Sequence, residues 1–356
     1  MKLNTKIDKL TELKKICNMA FDGYSNLGKN IEQEIINCLG IKKYNKFFFD
    51  KALEKIEYLD KVQYNVTNYQ YFNVNSHLVK CTSNFVIDKI SSIYNNSLFF
   101  DLIIHGSYAD NTYTSASDVD DVVIIKRKAF ENFDCFLETK KKLYQLNSYY
   151  QYVDPMQHHG HWIITEFDLL NYNQSIMPVC VFNDALSIDK NLWLNIYIDI
   201  KKSNQDFFKI LDITLNTYRI ALNMLYTNNI NLFYLKILIS CIALIIPLLF
   251  QVKGEILSKK EAIPRSCEIL DDRAMKIIEW STFIRKNWDK LPSVKNYNSI
   301  RLISKLFSNR KILEYISRER MPRIHIKDIL GLDKLKQSDF VYFLLFIENE
   351  KNENYK

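Results

Sequence analysis

The stretch "LFFDLIIHGSYADNTYTSASDVDDVVIIK", Leu98 to Lys126, decides the fold. An apolar run ends at Gly106 and Ser107, the ten residues 108–117 follow, and three aspartates then stand at the start of a second apolar run. Short apolar runs with β-branched residues and turn residues at their borders are typical of buried strands. We therefore predict two strands, joined by a Gly-Ser turn and a loop that brings the aspartates to the mouth of the second strand.

The aspartates have a spacing that suits a metal ion. Residues two apart on a strand point to the same face, so Asp118 and Asp120 would converge while Asp121 faces the other way. Two carboxylates this close repel unless a cation neutralises them, and their oxygens suit Mg²⁺ or Mn²⁺. An isolated Asp-x-Asp is more often part of a turn or a cap, so the interpretation depends on its surroundings.

A Gly-Ser pair precedes the aspartates and supports their interpretation as a metal site. Gly106 and Ser107 come directly after an apolar strand, where backbone N–H groups and a hydroxyl can bind a phosphate. Such a pair alone is more often an ordinary turn. Together with the aspartates it indicates a site for a nucleotide phosphate.

The run "IIHGSYADNTYTSASDVDDVVII" resembles the signature of the DNA polymerase β-like nucleotidyltransferase superfamily. Its members include RNA polymerases that extend RNA ends, aminoglycoside nucleotidyltransferases, oligonucleotide-messenger synthases and toxin-type transferases. The resemblance implies that Gly106 and Ser107 hold the triphosphate of an NTP and that Asp118 and Asp120 bind two divalent ions, Mg²⁺ or Mn²⁺. Asp121 is a departure, because the family usually has an apolar residue there.

The same resemblance implies a third carboxylate from a later strand, which would bind one metal and ease deprotonation of the acceptor hydroxyl. A third strand is predicted in "HWIITEFDLLNY", His161 to Tyr172, with Glu166 and Asp168 on one face. The apolar neighbours of Asp168 match the family better, so we place Asp168 first and Glu166 second. A surface ion pair is the alternative role for either residue.

A histidine-rich loop precedes that strand. In "DPMQHHGH", His158, His159 and His161 join Asp154 as residue types found in metal sites. Adjacent histidines on an extended chain face opposite ways, and no other histidine or cysteine group stands nearby in sequence. Contact with the substrate and plain packing of the loop are therefore the favoured interpretations, packing before contact.

Two basic segments could serve polyanionic ligands. By the resemblance, Lys259 and Lys260 are candidate partners of the triphosphate, although they are also compatible with a solvated face. Eight basic residues stand against two acidic ones between positions 301 and 327. That segment could follow an RNA backbone, or it could be a charged helix face without nucleic acid.

The pattern of the whole chain predicts an α+β fold. We expect a helical N-terminal region over 1–95 that packs on the core, a nucleotidyltransferase core with a small mixed sheet over 96–185, and a helical C-terminal domain over 186–356. The 14-residue apolar run 237–250 is shorter than the roughly 20 residues that a membrane span needs, so we expect a buried core helix.

Composition indicates the class of protein and the cellular compartment to expect. The chain has 356 residues, 47% of them hydrophobic, and a formal charge of +7, which is compatible with a nucleotide or RNA partner. Its seven cysteines are widely spaced without a C-x-x-C pair, which argues against a disulfide framework and a thiolate zinc site. The N-terminus has no continuous apolar run of the secretory type. We therefore expect a cytoplasmic protein that does not bind a membrane.

The expected function is that of a metal-dependent enzyme that moves an NMP from an NTP to an acceptor hydroxyl and releases pyrophosphate. RNA or tRNA is the favoured acceptor, and a protein, a small molecule or a second nucleotide are the others. The alternative is a catalytically silent module with this fold, antitoxin-like or a scaffold. Retention of Asp118 and Asp120 argues against it, because an unused cluster of charge is costly to keep.

Overall fold

The computed structural model describes residues 2–21, 29–60, 70–75, 84–157, 159–174, 177–182, 185–189, 193–198, 200–227, 230–291 and 321–354. The helices in these ranges are α1 (Lys2–Phe21), α2 (Lys29–Asp60), α3 (Phe85–Tyr94), α4 (Phe133–Val153), α5 (Ile200–Tyr226), α6 (Leu232–Val252), α7 (Lys259–Ala262), α8 (Asp272–Lys286) and α9 (Gln337–Asn354). The strands are β1 (Gln70–Asn75), β2 (Phe100–His105), β3 (Asp120–Ile125), β4 (Trp162–Thr165), β5 (Leu186–Ser187) and β6 (Trp193–Ile198).

A small mixed sheet carries the decisive stretch, as the sequence predicts. Its strand order is β4-β3-β2-β5, in which β3 pairs antiparallel with β2 and parallel with β4. The register between β2 and β3 sets His105 opposite Asp120. The end of the first predicted strand and the start of the second therefore lie side by side at one edge of the sheet.

Both faces of this sheet are covered. Alternate residues such as Phe100 and Val123 join a core formed with α1, α2, α3 and α4. The intervening residues, such as Ile103 and Val122, join a second core with β6 and the segment around Val179. Burial on both faces explains why β2 and β3 are nearly continuous apolar runs rather than alternating ones.

Strands also occur outside the range expected for the core. β1 lies in the region expected to be helical, and it pairs antiparallel with β6. β5 and β6 lie in the region expected to form the helical C-terminal domain. The N–H of Tyr172 donates to the carbonyl of Tyr197, which ties β6 to the segment that follows β4. These pairings join residues distant in sequence, which local patterns do not reveal.

The C-terminal helices form their own core around α6. This helix has 21 residues and is apolar and long enough to cross a membrane, so the length argument made from the 14-residue run does not hold. Burial is the informative observation, since 78% of its most apolar window is buried inside the protein. Ala116 and Met156 belong to the same core, and they bring the aspartate loop and the loop after α4 against these helices.

Candidate active site

The aspartate pair lies at the entrance of β3. Asp118 precedes the strand, Asp120 is its first residue, and the buried Val119 stands between them. The side-chain amide of Gln157 holds the backbone of Val119 on both sides: Oε1 accepts from its N–H at 3.2 Å, and Nε2 donates to its carbonyl at 2.9 Å. Gln157 thus fixes the short segment that carries both carboxylates.

The Gly-Ser turn lies directly against Asp120. Gly106 and Ser107 begin a short 3₁₀ turn after β2, and the carbonyl of Gly106 accepts the N–H groups of Ala109 and Asp110. Gly106 has φ +67°, and a Cβ atom at this position would lie 2.9 Å from Oδ2 of Asp120. Glycine is needed at this position because it tolerates a positive φ and has no Cβ atom that would clash with Asp120. The turn expected to bind phosphate is therefore in place beside a carboxylate.

His159 completes a three-residue cluster with the pair. Its Nε2 lies 3.0 Å from Oδ1 of Asp120 and 3.4 Å from Oδ2 of Asp118. These three residues, all partly buried, are the only group of three potential metal ligands within the described ranges, with one ligand atom of each within 4.8 Å of the others. Sequence reasoning favoured loop packing for the histidine loop, and for His159 the structure gives a contact with the aspartates instead.

Electrostatics in the cluster follow from its geometry. Burial acts to lower the pKa of His159, but the hydrogen bonds and charges of Asp118 and Asp120 raise it well above its usual value. Burial and the charge of Asp118 act to raise the pKa of Asp120, but His159 brings it below its usual value. The two aspartates thus form a centre of negative charge that favours the protonated form of His159.

The donor set fits a divalent cation. Carboxylate oxygens suit Mg²⁺ and Mn²⁺, and a neutral imidazole nitrogen is a common ligand of transition metals. Oδ2 of Asp120 points to the Gly106 turn and Oδ1 points to His159. A cation bound by Asp118, Asp120 and His159 would therefore lie near a phosphate at the turn.

A buried lysine from α6 also reaches the site. Nζ of Lys236 lies 2.5 Å from Oδ2 of Asp154 and 3.8 Å from Oδ2 of Asp118. Burial acts to lower the pKa of Lys236, but these carboxylates raise it above its usual value. The sequence pattern alone did not identify Lys236 as a site residue. A lone lysine within an otherwise apolar helix was the signal that could have identified it.

The two lysines expected to bind triphosphate lie on α7. Lys259 and Lys260 are both exposed. Burial is the main cause that lowers the pKa of His105, and the charge of Lys259 lowers it further. The charge of Lys259 therefore affects the pKa of the residue that precedes Gly106. Binding of the triphosphate by Lys259 and Lys260 stays a prediction.

Neither expected third carboxylate reaches the pair. The parallel register sets Thr165 opposite Ile125, at the far end of β3 from Asp120 and roughly 16 Å along the strand at about 3.3 Å per residue. β4 ends at Thr165, and Glu166 and Asp168 lie in the 3₁₀ helix that follows. Sequence reasoning extended the strand too far.

Local contacts explain where these two carboxylates are used. Oδ2 of Asp168 accepts from the backbone N–H and from Oγ1 of Thr165, each at 2.7 Å, and so caps the 3₁₀ helix. Burial raises the pKa of Glu166, whereas Arg127 acts to lower it. The structure therefore does not bring Asp168 to the aspartate pair as a third metal ligand. It brings neither Asp168 nor Glu166 there as a catalytic base.

Asp121 and His161 form a separate network on the opposite face. Nδ1 of His161 lies 2.7 Å from Oδ2 of Asp121, and its Nε2–H donates to the carbonyl of Leu143 at 2.8 Å. The hydroxyl of Tyr150 donates to the same Asp121 oxygen at 2.9 Å. Asp121 thus faces away from the pair, as expected, and ties β3 to α4 and to the start of β4. His158 lies outside the described residues.

Comparison with known families agrees with this geometry. Residues 88–161 match the family model of a nucleotidyltransferase domain. The match is about a fifth of the chain, and it runs from α3 through the Gly-Ser turn and the aspartate pair to His161. No curated protein and no solved structure matched the chain.

Proposed function

We propose, from the match of residues 88–161 to the family model of a nucleotidyltransferase domain, that the protein is a metal-dependent enzyme that transfers an NMP from an NTP to an acceptor hydroxyl. One observation carries the proposal. The turn that begins at Gly106 lies against Oδ2 of Asp120, so a phosphate-binding element and a cation-binding carboxylate share one site inside the matched segment.

In the proposed reaction, an acceptor oxygen forms a bond to the α-phosphorus of the NTP. The bond from that phosphorus to the oxygen bridging to the β-phosphate breaks, and pyrophosphate leaves with the electron pair. The hydroxyl proton is lost to solvent, which reaches the carboxylates of Asp118 and Asp120. Gly106 and Ser107 hold the phosphates in line for this displacement.

Mg²⁺ or Mn²⁺ bound to the pair, in a site for two ions, would neutralise charge on the transferred phosphoryl group and on the leaving oxygen. Asp118 and Asp120 hold the cation, and Gln157 keeps their backbone segment fixed. Lys236 balances the charge of Asp118 from the helical side. Lys259 and Lys260 are placed by the proposal at the outer end of the triphosphate.

For the acceptor we propose the end of an RNA, such as a tRNA. The support is the excess of basic residues over 301–327 with interleaved aromatic side chains. Positions 301–320 lie outside the described residues, whereas Arg323, His325 and Lys327 lie within them. Charge-removing substitutions at Arg323 and Lys327 should weaken RNA binding and reduce its dependence on salt.

A silent binding module is the second candidate. The absence of Asp168 and Glu166 from the pair favours it, because those were the carboxylates expected to serve as base. The buried ionic surroundings of Asp118 and Asp120 favour an enzyme, since such a cluster is costly to maintain without use.

The test compares two labels in the same NTP. Purified protein is incubated with Mg²⁺ or Mn²⁺, cellular RNA, and NTP labelled at either the α- or the γ-phosphate. Nucleotidyl transfer moves the α-label to the acceptor and releases the γ-label as pyrophosphate. Metal-dependent NTP binding with no transfer of the α-label to RNA, protein or small molecules would instead support the silent module.

A further inference from the structure

We propose that His159 is a direct ligand of the catalytic cation, and that the site therefore prefers Mn²⁺ to Mg²⁺. The inference rests on the proposed function, because it concerns the metal of that reaction. It replaces the expected third carboxylate with an imidazole supplied by the loop before β4.

The spacing of Nε2 of His159 from the two aspartates is close to that of metal ligands. Ligand atoms roughly 2.1–2.2 Å from one metal, at adjacent corners of an octahedron, lie roughly 3 Å from each other. Nε2 of His159 lies 3.0 Å from Oδ1 of Asp120 and 3.4 Å from Oδ2 of Asp118. These are hydrogen-bond separations in the ion-free protein, and an ion that replaced the Nε2 proton would meet ligand atoms already near the spacing that it requires.

The other ring nitrogen of His159, Nδ1, has a hydrogen-bond acceptor beside it. Nδ1 of His159 lies 3.0 Å from the carbonyl oxygen of Gly160, which only accepts hydrogen bonds. Nδ1 also lies 3.4 Å from the amide nitrogen of Gln157, but its shorter contact is with the carbonyl. When a cation replaces the Nε2 proton that bonds to the aspartates, the ring therefore keeps its proton on Nδ1 and presents the Nε2 lone pair to the cation. Histidine ligands of metals commonly have their second nitrogen held in this way.

The other candidate ligands near the pair make different contacts. Asp168 caps the 3₁₀ helix after β4, and His161 bonds to Asp121 and to the carbonyl of Leu143. Lys236 approaches Asp118, but an ammonium group is a hydrogen-bond donor without a lone pair for a metal. Among the described residues, His159 is the one that joins both aspartates in a potential ligand set.

The metal preference follows from the donor atoms. Mg²⁺ favours oxygen ligands and retains its water, whereas imidazole is a ligand of transition metals. Mn²⁺ also favours oxygen, but as a transition metal it accepts an imidazole nitrogen more readily than Mg²⁺ does. A site with two carboxylates and one imidazole therefore discriminates against Mg²⁺ more strongly than a site with three carboxylates.

The experiment measures Mn²⁺ binding to the full chain by electron paramagnetic resonance, with an α,β-methylene NTP analogue present and absent. Pulsed measurements detect a ¹⁴N nucleus bonded to the ion. We expect this nitrogen signal in the wild type and in the control His325→Gln, whose exposed histidine is outside the site. His159→Gln should lose the signal and bind Mn²⁺ about tenfold or more weakly.

A second variant tests the preference itself. His159→Asp restores an all-oxygen set, so the ratio of Mg²⁺ to Mn²⁺ dissociation constants should fall by about tenfold. An unchanged ratio, or bound Mn²⁺ without a histidine nitrogen signal in the wild type, would overturn the inference.

The two proposals fail separately. Nucleotidyl transfer by a wild type whose Mn²⁺ lacks the nitrogen signal would overturn the role of His159 and leave the function intact. The signal without any transfer would retain the metal site and contradict the function. No Mn²⁺ binding with or without the analogue would overturn both.

Discussion

A Cβ atom on Gly106 would lie 2.9 Å from Oδ2 of Asp120, so the Gly-Ser turn and the start of β3 approach each other as closely as only a glycine allows. The antiparallel register that sets His105 opposite Asp120 produces this approach. The turn and the carboxylate are therefore one unit, although thirteen residues, 107–119, separate them in the chain.

Gly106→Ala should disable the site through this contact. The new methyl group must displace the Asp120 carboxylate, and misplacement of a reacting group by about 1 Å costs on the order of 10²-fold in rate. Alanine at φ +67° adds a backbone cost of about 1–2 kcal/mol. Transfer rate and thermal unfolding report the two effects.

Gly254→Ala is the matched control. Gly254 has φ +96°, and a Cβ atom there would meet nothing within 4 Å. It should lose stability and keep its transfer rate. Equal loss of transfer in both variants would show that backbone strain, rather than the contact with Asp120, is responsible.

Lys236→Met should be strongly destabilising. The substitution leaves the buried Asp154 without its ammonium partner, and breaking a buried ion pair in this way typically costs about 3–5 kcal/mol. Denaturant unfolding measures the loss. Asp154→Asn in the same chain should recover part of it, because the uncompensated charge is then gone.

The ion pair between the partly buried Lys351 and the exposed Asp212, at the protein surface, provides the comparison. Lys351→Met should cost no more than about 1 kcal/mol, as surface ion pairs do. A loss of similar size in Lys351→Met and Lys236→Met would contradict the account of a buried pair.

Asp168→Ala should lower stability and leave catalysis in the folded protein unchanged. The variant removes a cap that accepts two hydrogen bonds from Thr165, which is worth about 0.5–2 kcal/mol. The transfer rate and the Mn²⁺ dissociation constant should stay within a factor of two or so of wild type, since Asp168 does not reach the pair. A large loss of metal affinity would restore Asp168 as a ligand.

Tyr150→Phe should destabilise the network beneath the strand. The hydroxyl of Tyr150 donates to the buried carboxylate of Asp121, and a hydrogen bond to a charged group contributes about 1.5–3 kcal/mol. Thermal unfolding should report the loss, whereas Tyr144→Phe, at an exposed position on the same helix, should change little. Equal stability of Tyr150→Phe and wild type would remove the proposed link between β3 and α4.

The sequence predicted best those features that a few adjacent residues specify through their residue types and through strand alternation. The Gly-Ser turn and the aspartates are specified by a few adjacent residues, and both occupy the places expected for them. The opposite orientation of Asp121 follows from strand alternation alone. The expectation of a small mixed sheet was confirmed, because β2 and β3 are short, β-branched and bounded by turns.

The remaining features depend on tertiary contacts. Asp168 has the apolar neighbours of a strand residue, but its own hydrogen bonds to Thr165 end β4 and start a 3₁₀ helix. Lys236 is far from Asp118 in sequence, so only the packing of α6 brings them together. His159 reaches the pair through a loop conformation that residue types alone do not specify.

The most direct test of the central claim is the rate of nucleotidyl transfer by Asp120→Asn. The substitution keeps the size of the side chain next to the Gly106 turn and removes the charge that we propose holds the cation. We predict a cooperatively folded variant that still contains the turn and transfers the α-labelled NMP on the order of 10³-fold more slowly than wild type. A folded Asp120→Asn variant with a transfer rate within tenfold of wild type would contradict the account.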